Sequence, residues 1–180
     1  MHPYQALAVL AIFVTFAVIE MRRGRFLATE ATSEDKWLDA VVITVFPLVI
    51  VPSIFFLSYT LCMHWIPEHQ DALAHWSGWA MALTLLLADD LTQYWWHRMS
   101  HSTWMWPFHR AHHSAAYMGV RVVYRNNFFY YAFMPGLWLS GALVYLGFGW
   151  AYVVYSIIKM AVIVGAHSEA RWDEALHRHR

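Results

Sequence analysis

The chain has 180 residues, 59% of them hydrophobic and 18% aromatic, with only 13% charged. A soluble domain of that size has too little interior to hide so much apolar surface, and the mean hydropathy is positive, so the composition excludes an ordinary soluble domain and implies an all-α integral membrane protein. Twelve basic residues balance twelve acidic ones, so no whole-chain field selects for nucleic acid.

Residues 4–21 are a nearly uninterrupted apolar run, about the length a helix needs to cross roughly 30 Å of hydrocarbon. Arg22, Arg23 and Arg25 follow the run, where a cleaved leader would carry its charges in front, so it reads as a retained span. After a polar loop over 22–36, residues 38–62 form a second run. In it Pro47 and Pro52 remove backbone donors and are expected to kink or break the helix. The single cysteine, Cys62, reads as a small buried hydrophobe. The linker 66–76 carries Pro67, Glu68 and Asp71, with His64, His69 and His75 nearby.

A third apolar segment, 77–96, contains Asp89 and Asp90, which need an interior partner at membrane depth. Residues 114–127 are polar to amphipathic, with Arg121 and Arg125. Residues 128–166 would measure roughly 58 Å as one helix, too long for a perpendicular span, and Gly147-Phe148-Gly149 predicts a turn between two. The expectation is a single membrane domain over 1–180 with four to five transmembrane helices. If the first loop lies inside, eleven of the twelve basic residues fall on that side, Lys159 being the exception. That distribution predicts a cytoplasmic histidine stretch, with the 66–76 linker and the Gly-Phe-Gly turn outside.

Between the third segment and the amphipathic stretch lies HRMSHSTWMWPFHRAHH, residues 97–113. His97 and His101 are four apart, and His109, His112 and His113 are three and four apart. On a helix these positions share a face, with Cβ atoms roughly 5–6 Å from one another. Imidazole suits zinc, copper, nickel or iron, and five candidates exceed what one zinc ion takes, which favours two metals. Pro107 is expected to end the helix carrying His97 and His101 and to let a second begin before His109. Asp90 lies two turns before His97 on the same face and reads as a carboxylate accepting from a ligand imidazole, while Asp89 points elsewhere. His167, alone at the inner end of the last span, reads equally as a ligand or not. His2, His64, His69 and His75 read as interfacial, and His177 and His179 as a polar tail.

Asp90-Leu-Thr-Gln-Tyr-Trp-Trp-His97-Arg98-Met-Ser-His101, followed by Trp106-Pro-Phe-His109-Arg110-Ala-His112-His113-Ser114, closely resembles the first two histidine boxes of the fatty acid hydroxylase and sterol desaturase superfamily. The resemblance is strong over residues 87–114, and a hydroxylase-like core would occupy about 77–180. It implies a membrane enzyme with a cytoplasm-facing di-iron site, zinc being a possible substitute. Such an enzyme uses O2 to hydroxylate or desaturate a fatty acyl or sterol-like lipid that reaches it from the membrane lipids. Electrons would come from a cytochrome b5-like or ferredoxin-like donor. By the same resemblance His97, His101, His109, His112 and His113 would be metal ligands, and His167 would match an isolated histidine that follows the second membrane hairpin. The family's third box, His-x-x-His-His, is absent, since His177-x-His179 has a different spacing. The sequence therefore reads as a C-terminally incomplete piece. Rival readings are a catalytically inactive membrane scaffold and a histidine-rich membrane carrier of metal or haem.

Overall fold

A computed structural model of the chain describes residues 3–26 and 31–168, and among these residues every regular element is helical. Helix α1 is Pro3–Arg22. Helix α2, Ser33–Val45, passes through a π-helical turn at Phe46–Ile50 into α3, Val51–Trp65. Helix α4, Gly78–Leu85, continues through a second π turn at Leu86–Leu91 into α5, Thr92–Ser100. Two short helices follow, α6 at Trp106–His109 and α7 at Phe128–Ala132. Helix α8, Pro135–Leu143, leads through Val144–Phe148 to α9, Gly149–His167.

Three stretches are long and apolar enough to cross a membrane: Tyr4–Arg22, Ser33–Trp65 and Pro135–His167. Their outward faces are apolar. Val154, Ile158 and Val162 of α9, at helical spacing, are 56%, 60% and 65% exposed, while Ser156 and Val164 on the same helix are buried. This is the pattern of a bundle solvated by lipid rather than water. The 78–100 helix lies outside this set of three, because Asp89, Asp90 and the polar turn that follows lower its hydropathy.

At Pro47 and Pro52 the helix is disturbed but not broken. The helix widens instead, with the Val51 amide donating to the Phe46 carbonyl five residues back, so the missing proline donors and the ring clashes are absorbed in one π turn. Where α3 meets α8 the backbones come close. A side chain at Gly141 would strike Ser58, and the Ser58 hydroxyl donates to the Trp138 carbonyl at 2.6 Å.

The turn predicted at Gly147 is present, at φ +114°, and it breaks the Pro135–His167 stretch into α8 and α9. The carbonyls it frees are taken by the linker: the Asp71 amide donates to Tyr145 O at 3.1 Å and the Leu73 amide to Leu146 O at 2.8 Å. The two segments expected outside are thus adjacent at one end of the bundle. At the other end Glu20, closing α1, accepts from the Val120 amide, and Asp35 and Asp39 of α2 hold Arg125.

The membrane-depth carboxylates find a partner in Lys159 of α9, the one basic residue that broke the charge rule. Its Nζ lies 2.6 Å from Asp89 and 3.7 Å from Asp90, and the Tyr155 hydroxyl donates to Asp90 at 2.9 Å. Gly136, opening α8, leaves the room that the Asp89 carboxylate occupies.

Candidate metal centre

Helix α5 stops at Ser100, with His101 as its cap, six residues before Pro107. The proline therefore does not end this helix, which closes in the Ser-His-Ser-Thr turn; it opens α6 instead. The chain reverses through 101–105, so the last turn of α5 and the single turn of α6 face each other. His109 ends α6, and His112–Ser114 is a 3-10 turn rather than more of the same helix.

Four imidazoles converge: one nitrogen from each of His97, His101, His109 and His113 lies within 4.8 Å of the other three. Within this group Nε2 of His97 and His101 are 3.2 Å apart, and Nε2 of His109 and His113 are 3.1 Å apart. Two ligands bound at 2.0–2.1 Å to one ion stand about 3.3 Å apart at a tetrahedral angle and about 2.9 Å at a right angle. The two observed spacings fall between these, so each pair has the spacing of two donors to one ion.

The remaining two predicted ligands form a second pair. The ring centroids of His112 and His167 are 5.4 Å apart, and His112 lies 5.2 Å from His109. Nδ1 of His112 is buried with no hydrogen-bond partner among the described residues, a donor position that a metal would satisfy. The His167 Nδ1–H donates to the Ile163 carbonyl at 2.8 Å, which leaves its Nε2 as the free lone pair. His112 is not one of the four whose nitrogens converge, although its ring stays beside that of His109; it lies in the 3-10 turn His112–Ser114. His177 and His179 lie outside the described residues.

The site's electrostatics keep His97, His109, His112 and His113 neutral. His109 is fully buried, and burial pushes its pKa down to about 3, with His97, His112 and His113 repelling a second charge and Asn126 opposing the shift. Burial also takes His112 down to about 4, helped by His167, His113 and His97. His97 and His113 are lowered for the same reasons, burial first and neighbouring histidines after. At neutral pH the lone pairs of these four are free for a metal.

Asp90 does not take the expected place behind His97. Two helical turns are roughly 10 Å, more than a carboxylate spans. Among the described residues its hydrogen bond goes to Tyr155 and no bond joins it to a histidine. The side-chain oxygen beside a cluster imidazole is instead that of Asn126, whose Oδ1 is 3.2 Å from Nδ1 of His109. Two aromatic rings wall the site: Tyr130 stacks on His109 at 5.0 Å, and Trp106 on His113 at 5.6 Å. Asn126 and Tyr130 were not singled out as site residues from sequence, because no spacing links them to the boxes. Their only signal is a polar Asn-Asn pair between a charged stretch and an aromatic one.

Residues 82–180 match the fatty acid hydroxylase family. No curated protein matches the chain significantly. No solved structure does so either. Members of this family are membrane-associated and carry out iron-dependent oxidation, in keeping with the apolar helices and the histidine cluster described above. The match covers more than half of the chain, which therefore belongs to the fatty acid hydroxylase family, within the fatty acid hydroxylase and sterol desaturase superfamily.

Proposed function

We propose that the protein is an oxygen-dependent lipid oxidase, hydroxylating or desaturating a fatty acyl or sterol-like substrate at two irons held by His97, His101, His109, His112, His113 and His167. The observation that carries this reading is the convergence of four imidazole nitrogens at metal-ligand spacing, with the His112–His167 pair beside them. Bound iron would supply what no side chain here can, reductive use of O2 against an unactivated C–H bond. Zinc would fit the same donors without that redox chemistry.

The chain's own residues bind, orient and exclude water. A cleft of about 330 Å3 runs along one face of the 78–100 helix and is lined by Asp90, Gln93, Tyr94, His97 and Arg98. The depression is open and its lining includes His97 of the cluster, so a lipid arriving laterally from the bilayer would meet the site there. Burial of His109 under the stacked ring of Tyr130 keeps water from the inner wall, while His101 and His113 face outward. The single membrane domain would hold the histidines at the cytoplasmic surface, where a cytochrome b5-like or ferredoxin-like protein delivers electrons. Eleven of twelve basic residues on that side support the orientation.

The test is lipid mass spectrometry on membranes carrying the chain, supplied with reductant and a donor protein, under air and under argon. An oxygen-dependent lipid product that disappears in His109→Ala supports the reading. Identical lipid profiles under both gases contradict it.

A further inference from the structure

The segment carrying His112 and His113 is short, 3-10 in form, and its backbone amides bond only to neighbours: His113 to the Arg110 carbonyl and Ser114 to that of Ala111. Such a turn has little stiffness of its own. The long-range hydrogen bonds that the structure gives its two ends both come from Arg125. Nε donates to the Ala111 carbonyl at 3.2 Å and Nη2 to the Ser114 hydroxyl at 3.1 Å, bracketing the two histidines.

Arg125 is in turn held from α2. Its Nη2 lies 2.5 Å from Asp35 Oδ1 and its Nη1 3.1 Å from Asp39 Oδ1, and Nη1 also donates to the Tyr117 hydroxyl, which itself donates to Asp39. The arginine is 4% exposed and Asp39 1%. Asp35 has a second task, closing a capping box with Thr32 that fixes the start of α2. The planar fork of Arg125 is thus aimed by two carboxylates on one side and spends its other donors on the histidine turn. Asp35 and Asp39 lie outside residues 82–180, the part that matches the family.

We propose that Arg125 is a positioning residue of the metal centre and that Asp35 and Asp39 act on the centre through it, which makes the N-terminal half of the chain a working part of the site. The Asp35–Arg125–Asp39 bridge fixes the orientation of the turn, and with it the angle at which His113 meets His97, His101 and His109 and His112 meets His167. The inference rests on the histidines being metal ligands.

The experiment uses the full chain, purified in detergent and freed of metal, with Co2+ as the probe. Affinity is read by titration and ligand geometry by the visible absorption of the bound ion. Partners that orient metal-bound groups are worth roughly 10–100-fold in affinity. Arg125→Gln, and Asp35→Asn with Asp39→Asn, are expected to weaken Co2+ binding at least about tenfold and to change the band shape. Arg125→Lys, which keeps the charge but not the fork, is expected to recover only part of the loss. Ser114→Ala removes the two contacts of one hydroxyl, from Arg125 and to the Ala111 carbonyl, and leaves both ion pairs in place, so it folds if the larger changes do not, and a smaller shift in the same direction is expected. Ser156→Ala is the control, since it breaks the buried Gln5–Ser156 bond between α1 and α9, away from the histidines, and should lower stability without altering Co2+ binding. Parental affinity and spectrum in the Arg125, Asp35/Asp39 and Ser114 variants, whatever their melting temperatures, would overturn the inference alone. A parent chain that binds no Co2+ would overturn the metal-centre reading and the inference with it.

Discussion

His109 Nδ1 stands 3.2 Å from Asn126 Oδ1, and this contact decides which nitrogen of a fully buried ring is free. With the amide oxygen accepting, the proton sits on Nδ1 and the Nε2 lone pair faces His113. Asn126→Leu removes the acceptor and frees the tautomer, and is expected to lower metal affinity roughly 10–100-fold. Asn126→Asp keeps an acceptor and should restore most of it. Equilibrium titration with Co2+ or Zn2+ reads the difference, and equal affinities for the leucine variant and the parent would rule out this role.

Depressed histidine pKa values give the metal-free protein an acid limit. Unfolded histidine takes a proton near 6.5. His109 and His112 in the fold do so only at about 3 and about 4, chiefly because they are buried. Between those values the unfolded chain binds more protons than the folded one, so stability is fully present above about 6.5 and is lost as pH falls. The apparent melting temperature of metal-free protein is expected to drop steadily from pH 7 toward pH 4, and less steeply in His112→Gln. A flat profile over that interval would contradict neutral burial of these rings.

Lys159 and Asp89 form an ion pair within the bundle, with side chains 17% and 9% exposed. Removing one partner leaves a charge without compensation in a low-dielectric surround, at a cost of roughly 3–5 kcal/mol. Lys159→Met alone should therefore be poorly folded. Lys159→Met combined with Asp89→Asn should recover much of the loss, because no unpaired charge remains on Asp89. Yield and monodispersity in detergent check this, and a double variant no better than the single one would show that the pair is not the reason.

Gly147 carries φ +114°, and an added Cβ would come within 2.9 Å of the Ala74 backbone. Gly147→Ala is expected to cost about 1–3 kcal/mol from dihedral strain alone, with more from the linker being pushed off the turn. Gly149 has open space at its Cβ position, and Gly149→Ala should be close to neutral. Thermal unfolding of the two variants side by side is the check.

The histidine stretch was legible in the sequence because its geometry is local. Spacings of three and four bring His97 to His101, and His109 to His113, whichever tertiary fold surrounds them. That His112 stands beside His167 rather than joining the converging four was not legible, since no periodicity links residues so far apart in the chain. The need of Asp89 and Asp90 for an interior partner was visible, and Lys159 stood out as the one misplaced cation, but which helix meets which is a nonlocal fact. Asn126, Tyr130 and the Asp35–Arg125–Asp39 bridge were hidden for the same reason: their partners are 17 to 90 residues away in the chain, where no periodicity reaches. Pro47 and Pro52 marked where the helix is disturbed but not the form, a π turn through which it continues.

Iron content is the most direct measure of whether this histidine cluster is a metal centre. The full chain, produced with iron supplied and purified in detergent, is expected to retain iron by elemental analysis, with up to two ions per chain. A variant with His97, His101, His109 and His113 all changed to alanine should retain none while still inserting into membranes. A well-folded parent that holds no iron, or a quadruple variant that holds as much as the parent, would contradict the assignment.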